Sequence, residues 1–137
     1  MALQDVDMVS WLCEPAHPAW TQLQQVFATV FSEARIDLFI GRKLYGLLRR
    51  AGLEDIEVSG HSQVYRSTDF YREQLIMFID IVRDRIFAQG LLSSAELRRL
   101  QEDLRQHLAD PGTIVLQSVL FQAWGRKPQR SNQAADH

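Results

Sequence analysis

The sequence predicts an α/β domain with three strands and about four helices, and three observations carry this prediction. First, residues 41–65 change from helical spacing of apolar residues to alternation with a period of two. Second, residues 18–35 and 66–111 carry apolar residues at helical spacing. Third, residues 113–124 are apolar almost throughout and rich in β-branched and aromatic residues, which is typical of a central strand covered on both faces.

Length and composition restrict the class of protein. The 137 residues suffice for one core, and 46% apolar with 23% charged residues is typical of a globular domain. The net charge of −2 gives no general attraction to nucleic acid, and no stretch is apolar enough to cross a membrane, so we expect neither partner. The single cysteine suits a reducing cytoplasm.

The first two elements are a strand and a helix. Residues 1–11 alternate like a strand that is already under way at its first residue, and Pro15 and Pro18 prevent its continuation. Pro18 is well placed as the first residue of a helix that we expect to run to about Arg35.

The stretch 41–65 contains the organising helix and the second strand. Arg49 and Arg50 lie in the last helical turn, Gly52 is expected to end the helix in a left-handed conformation, and Leu53 to fold back onto Leu48. In the strand from Asp55, alternation predicts one buried and one polar face. The buried face would hold Ile56, Val58, Gly60, Ser62 and Val64, and the polar face Glu57, Ser59, His61, Gln63 and Tyr65.

The later elements are helical until the last strand. Ser67 or Thr68 is expected to cap one long helix that Gly90 ends. Ser93 and Glu96 form the S-x-x-E pattern of a capping box at the start of the next helix, which residues 110–112 stop.

Candidate chemistry is sparse in this sequence. The four histidines lie in different predicted elements without metal-ligand spacing, and Cys13 is a nucleophile only if a histidine approaches it, inert packing being the alternative. The seven glycines form neither a dinucleotide nor a Walker loop, and no serine lies in a G-x-S-x-G elbow. Arg42, Lys43, Arg49 and Arg50 make a basic patch, either a solvated helix face or a weak nucleic-acid contact.

Two acids and an indole at a strand end are more suggestive. Asp5 and Asp7 share one face of the first strand, which runs directly into Trp11. Ligands of open α/β sheets gather beyond the carboxyl ends of the strands, so these residues could orient a polar or aromatic ligand. The alternative is a solvated strand end with Trp11 in the core.

The order of elements, and three stretches within it, resemble a known enzyme family. The stretches are residues 1–9, MALQDVDMV, residues 40–58, IGRKLYGLLRRAGLEDIEV, and residues 119–128, VLFQAWGRKP. They resemble the fifth strand, the helix with the sixth strand, and the seventh strand of class I S-adenosylmethionine-dependent methyltransferases, particularly the bacterial small-molecule group related to ubiquinone/menaquinone-biosynthesis enzymes. The resemblance implies a partial Rossmann-like sheet of mixed strands, with the last strand antiparallel and central.

The resemblance also implies which part of the enzyme this sequence would form. Residues 1–126 would be the C-terminal, substrate-side part of the methyltransferase domain, with 66–111 as a helical lid insertion and 127–137 as a disordered tail. The family's glycine-rich loop and cofactor-binding acid would precede this sequence, so S-adenosylmethionine would not bind this chain alone. A truncated gene, a mis-annotated start and a true short protein remain open explanations.

Five residues are expected to line the substrate side, where two parallel strands deliver their carboxyl ends beneath the following helix: Asp7, Trp11, Tyr65, Phe70 and Tyr71. The implied partner is a small-molecule methyl acceptor, and no catalytic base is evident. We also expect the exposed edge of strand 2–9 to bind a second copy or a complementary N-terminal half. The alternative function is a stand-alone binding module derived from a methyltransferase.

Overall fold

The computed structural model describes residues 1–130, which form five α-helices and six β-strands together with short 3₁₀ turns. The strands are β1 (Ala2–Asp7), β2 (Leu12–Glu14), β3 (Glu54–His61), β4 (Val64–Arg66), β5 (Ile114–Leu116) and β6 (Val119–Arg126). The helices are α1 (Pro18–Glu33), α2 (Leu44–Arg50), α3 (Gln74–Ile81), α4 (Arg83–Ala88) and α5 (Ser94–Ala109).

The main sheet has the strand order β1-β6-β3. Strand β6 is antiparallel to both neighbours, pairing Leu3 with Ala123 on one side and Val58 with Ala123 on the other. The predicted α/β class and the central, antiparallel position of the last strand are therefore confirmed. Neighbouring strands among residues 1–130 are all antiparallel, so the expected mixed sheet is wrong in that detail.

A second sheet has the order β2-β5-β4. Each of the three chain segments 2–14, 54–66 and 114–126, which we call the three passes, contributes one strand to each sheet. Cys13 and Tyr65 both pair with Val115, just as β1 and β3 both pair with β6. The three passes are interrupted at residues 8–11, 62–63 and 117–118, and this common interruption divides one predicted sheet into two. We call it the kink.

The ends of the helices follow local chemistry closely. Gly52 has a φ of 82°, and the N–H of Leu53 donates to the carbonyl of Leu48 at 3.2 Å, as predicted. The capping box of Ser93 and Glu96 is also present, with both hydrogen bonds formed. Pro18 is the first residue of α1, and the side chain of His17 caps that helix by accepting from the N–H of Ala19.

The long helix predicted after Tyr65 is wrong, because the chain there forms a turn at residues 70–73, then α3 and α4. Asp69, rather than Ser67 or Thr68, precedes the turn, and its carboxylate accepts from the N–H of Arg66. Val82 separates α3 from α4 with non-helical backbone angles. The helical content of 66–111 is as expected, but it is divided into three helices.

The larger core lies among the helices. It joins α1, α3, α4 and α5 to the second sheet, and its fully buried members include Leu23, Leu75, Ile86, Leu104 and Val115. The segment 66–111 therefore supplies much of the main core, in addition to any role as a lid.

The main sheet has a much smaller core and is covered on one face. Leu44 and Leu48 of α2 pack on Ala123 of β6. The opposite face, which carries Val6, Leu120 and Trp124, is largely exposed; Trp124 is 40% and Val6 37% exposed. We call this the open face.

The expected buried face of β3 is wrong. Val58 is 47% and Val64 of β4 is 56% exposed, and only Ile56 among the five predicted residues is half-buried. Alternation reports which side chains share a face, whereas burial requires a layer that covers it.

The predicted disordered tail is only partly described. Residues 127–130 have no regular secondary structure, and residues 131–137 lie outside the described part of the chain.

Candidate functional site

Hydrogen bonds across the three passes hold the kink. The N–H of Gln117 donates to the carbonyl of Gln63 at 2.9 Å, and the hydroxyl of Ser62 donates to the carbonyl of Gln117 at 2.8 Å. On the other side, the N–H of Val119 donates to the hydroxyl oxygen of Ser10 at 2.9 Å. The regular strand pairing is thus interrupted at the kink, but hydrogen bonds still join the three passes. The interruption creates space on the open face.

A cleft of about 340 Å³ occupies this space, where β1 and β3 both end. Its aliphatic surface comes from Val6 and Leu120, which are paired across β1 and β6. Its polar lining residues are His61, Ser62, Gln63, Tyr65, Gln117 and Ser118. The lining contains no Asp, Glu, Lys or Arg, so the cleft offers hydrogen bonds but no fixed charge.

Two adjacent residues of the kink have unused hydrogen-bonding capacity. Ser118 is only 7% exposed, and its hydroxyl has no hydrogen-bond partner within residues 1–130. The Nε2 group of Gln117 donates to Gln74, but its Oε1 atom is enclosed and has no donor within the same residues. Buried polar atoms normally have partners, so the enclosed Oε1 atom of Gln117 distinguishes this lining from ordinary surface, whereas the hydroxyl of Ser118 is open to the cleft.

Three of the five predicted site residues come together beside the cleft. Tyr65 lines it, and its ring centroid lies 6.1 Å from that of Tyr71, which in turn lies 5.3 Å from that of Phe70. Phe70 is 70% and Tyr71 51% exposed, which is unusual for aromatic rings of this size. The hydroxyl of Tyr65 donates to Gln63 at 2.9 Å.

Asp7 lies in a different environment. It is only 3% exposed, and Arg42 binds it with two guanidinium nitrogens, one of them the Nε atom and the other at 2.9 Å from Oδ1. The hydrogen bond to Asp7 raises the pKa of Arg42 above its ordinary value. This ion pair ties β1 to the turn before α2, and Asp7 is not among the residues that line the cleft.

Trp11 belongs to the larger core. It is 4% exposed and makes edge-to-face contacts with Trp20 at 5.6 Å and Phe78 at 5.8 Å between ring centroids. These contacts favour the alternative kept open for Trp11, a core position. A ligand role for Asp7 and Trp11 stays a prediction.

Sequence reasoning missed the polar residues of the kink, although part of the signal was available. The alternation of β3 had placed His61, Gln63 and Tyr65 on one face, and all three line the cleft. Gln117 and Ser118 are the polar interruption of the apolar run 113–124. A polar pair within a central strand could have identified the kink.

The remaining candidates are structural. Lys43 forms an ion pair with Asp37 at 2.5 Å, and Arg42 with Asp7, so half of the basic patch is engaged in ion pairs. The imidazoles of His17 and His107 contact each other at an interplanar angle of 37°, with centroids 4.7 Å apart. Within residues 1–130, no group of three or more His, Cys, Asp or Glu side chains is placed to hold a metal ion. None of the helices in that part of the chain is both long and apolar enough to span a membrane.

No protein-family model matches the sequence, and no curated protein matches it.

Proposed function

We propose that this chain is the substrate-side portion of an S-adenosylmethionine-dependent small-molecule methyltransferase of class I. The observation that carries the proposal is the topology of the main sheet. Strands β1 and β3 run in the same direction with the last strand, β6, antiparallel between them. That order corresponds to the fifth, seventh and sixth strands of the resembled enzymes. The outer strands of any three-stranded antiparallel sheet share a direction, so the support comes from the strand order, in which the last strand lies between two earlier ones.

The position of the cleft supports the same proposal. It lies where the two strands of equal direction end, at the edge where ligands of α/β sheets gather. The exposed aromatic rings of Tyr71 and Phe70 lie beside it, on the segment that follows β4. We propose that a methyl acceptor binds in this cleft and that 66–111 closes over it as a lid.

The reaction proposed for the complete enzyme is a methyl transfer. The acceptor's O, N or C atom would form a bond to the methyl carbon of the sulfonium donor as the sulfur–methyl bond breaks, leaving a thioether. Such a step depends chiefly on positioning the two reactants. The part of this chain would be to hold the acceptor, and no residue is assigned as its base.

We propose that the methyl donor is held by a second polypeptide segment. The sequence has no G-x-G-x-x-G pattern or comparable glycine-rich loop with which to hold it. The largely exposed face of the main sheet is a surface on which such a segment could pack. The single cysteine favours a reducing cytoplasm as the site of action.

The edge of β1 restricts where that segment pairs. The N–H of Val6 already donates to the Asp5 carboxylate, and the N–H of Met8 donates to the carbonyl of Leu38. Because amides alternate in direction along a strand, those of Ala2 and Gln4 also face away from β6. We therefore place the pairing edge in the first half of β1, rather than along the whole of 2–9.

Co-expression tests the proposal. This chain would be co-expressed with the glycine-rich N-terminal half of a small-molecule class I methyltransferase, and transfer of the tritiated methyl group of S-adenosylmethionine to small phenols and amines would be measured. We expect transfer only when both halves are present and no binding of S-adenosylmethionine to this chain alone. The substitution Gln4→Pro should abolish assembly without unfolding the chain, because that amide faces away from β6. Gln122→Ala is the matched control on the central strand.

Two results would contradict the proposal. Micromolar binding of S-adenosylmethionine to the isolated chain, about −8 kcal/mol, would show that the cofactor site is here. Failure of every co-expressed half to assemble or transfer a methyl group would leave the alternative, a stand-alone binding module. The larger core favours that alternative, because 18 buried residues of this chain form it without a second polypeptide.

A further inference from the structure

The lining of the cleft at the kink is chemically selective. None of its residues carries a fixed charge, and Val6 and Leu120 give it an aliphatic surface next to the ring of Tyr65. A charged ligand would lose its hydration there without a counter-charge to replace it. The cleft therefore favours an uncharged ligand, and its walls favour a flat, largely apolar one.

The size of the cleft limits that ligand. At about 340 Å³ it lies near the lower end of the roughly 300–1,000 Å³ that small-molecule sites occupy. A compound of one or two fused rings fits this volume.

Ser118 supplies the directional contact. The residue is 7% exposed and lines the cleft. Its hydroxyl has no hydrogen-bond partner within residues 1–130. The hydrogen bonds of the kink involve the neighbouring backbone and hydroxyls of Ser62 and Ser10, and leave that of Ser118 unused. The residue is buried as a whole, but its hydroxyl oxygen is not among the fully enclosed atoms without a partner, so the hydroxyl is open to the cleft and available to donate to a bound molecule.

We infer that the cleft binds an uncharged compound of one or two rings whose carbonyl oxygen accepts a hydrogen bond from Ser118. The inference deepens the proposed function and rests on it only for the ligand's role as methyl acceptor. Binding itself requires neither a methyl donor nor a second polypeptide segment.

The test is titration of the full chain with 2-quinolinone, a two-ring lactam, followed by calorimetry and by the amide resonances of the kink. We expect binding in the absence of S-adenosylmethionine, with shifts concentrated at residues 61–65 and 117–120. Ser118→Ala should weaken binding about three- to tenfold, the contribution of one neutral hydrogen bond. Its melting temperature should be unchanged, because the hydroxyl has no partner in the protein.

Two further variants and one further probe complete the test. Ser59→Ala, at an exposed serine of β3 outside the cleft lining, should leave binding unchanged. Val6→Trp should fill the cleft and abolish binding. Quinoline-2-carboxylate, a two-ring anion, should bind at least about tenfold more weakly than the lactam.

Equal binding to Ser118→Ala, equal or tighter binding of the anion, or no binding of 2-quinolinone at millimolar concentration would overturn the inference. These outcomes are separate from those of the co-expression experiment. Methyl transfer by assembled halves without lactam binding would refute only the ligand class. Lactam binding without any methyl transfer would refute the enzymatic proposal and retain the binding site.

Discussion

The helical region, which consists of α1, α3, α4 and α5 packed on the second sheet, differs from the main sheet in how much of its apolar surface is buried within this chain. The larger core gathers 18 buried residues from four helices, the second sheet, residues 8–11 of the kink and the break at Val82. The main sheet instead has a cluster of three buried residues, two from α2 and one from β6, and an exposed opposite face. Hydrophobic burial scales with the apolar area removed from water. The helical region should therefore carry most of the stability, and the main sheet most of the surface available for binding.

The largest expected effect comes from truncating the larger core. Leu104 in α5 is 0% exposed, and Leu104→Ala should lower the free energy of unfolding by about 2–5 kcal/mol through lost burial and the cavity that is left. Denaturation by urea measures it. Leu47→Ala in α2 is the matched control, because Leu47 is 38% exposed and its truncation should change stability by less than about 1 kcal/mol. Equal effects of the two substitutions would invalidate the contrast between the regions.

The second prediction concerns the polar anchor of the main sheet. Asp7→Asn removes the charge that binds Arg42 while retaining size, and should lower the free energy of unfolding by about 1–3 kcal/mol. Asp5→Asn, at an exposed position of the same strand, should have little effect, since an amide oxygen can still accept from the N–H of Val6. Chemical denaturation of both variants decides the matter. An Asp7→Asn protein as stable as the wild type would show that the ion pair does not hold β1 against the turn.

Local signals in the sequence predicted the parts of the fold that depend on neighbouring residues. Gly52, and the Ser93–Glu96 pair, determine where helices end and begin through contacts within a few residues, and both are as predicted. The central position of β6 followed from an apolar run without alternation. Each of these features can be read from a short window.

The missed features depend on long-range contacts. The kink requires Ser10, Ser62 and Gln117 to meet from distant parts of the chain, so no local window contains it. The exposure of Val58 depends on what covers the sheet. The break at Val82 was missed because the apolar residues lie on several sides of the predicted helix, so their spacing shows no single periodic pattern that a break would interrupt.

In the candidate site, too, the residues that are close in the sequence came together as expected, whereas those that depend on long-range contacts did not. Tyr65, Phe70 and Tyr71 are near one another in the sequence, and the structure brings their rings together. Trp11 and Asp7 were placed with them by an argument about strand ends alone, and the structure instead pairs them with Trp20 and Arg42. Ser118 was visible only as half of a polar interruption in the apolar run 113–124, because the residues that complete the kink come from distant segments.

The third prediction concerns the residues with positive φ that follow two helices of the helical region, α4 and α1. Gly90 has a φ of 66°, and Gly90→Ala should cost about 1 kcal/mol because alanine is strained there. Arg35 has a φ of 58° at the end of α1, where the N–H of Ile36 donates to the carbonyl of Phe31 at 2.9 Å. Arg35→Gly should therefore stabilise the chain by about 0.5–1 kcal/mol. Thermal melting of both variants measures these opposite signs, and a loss in both would refute the argument.

The smallest expected effect is a pH dependence that Cys13 confers on the larger core. Cys13 is 4% exposed, and burial raises the pKa of its thiol above the ordinary value. The folded chain therefore holds the thiol proton more tightly than the unfolded chain does. The corresponding stability is fully present below the unfolded pKa of about 8.5 and is lost as the pH rises through the folded pKa.

Cys13→Ala tests this by removing the thiol. Unfolding free energies of both proteins would be measured by urea denaturation between pH 7 and pH 10. The variant should be less stable at pH 7, because packing is lost, and the difference should narrow above about pH 8.5, where only the wild type loses the thiol's contribution. Other groups titrate equally in both proteins and cancel in the difference. Parallel curves throughout that range would mean that the thiol does not couple the larger core to pH.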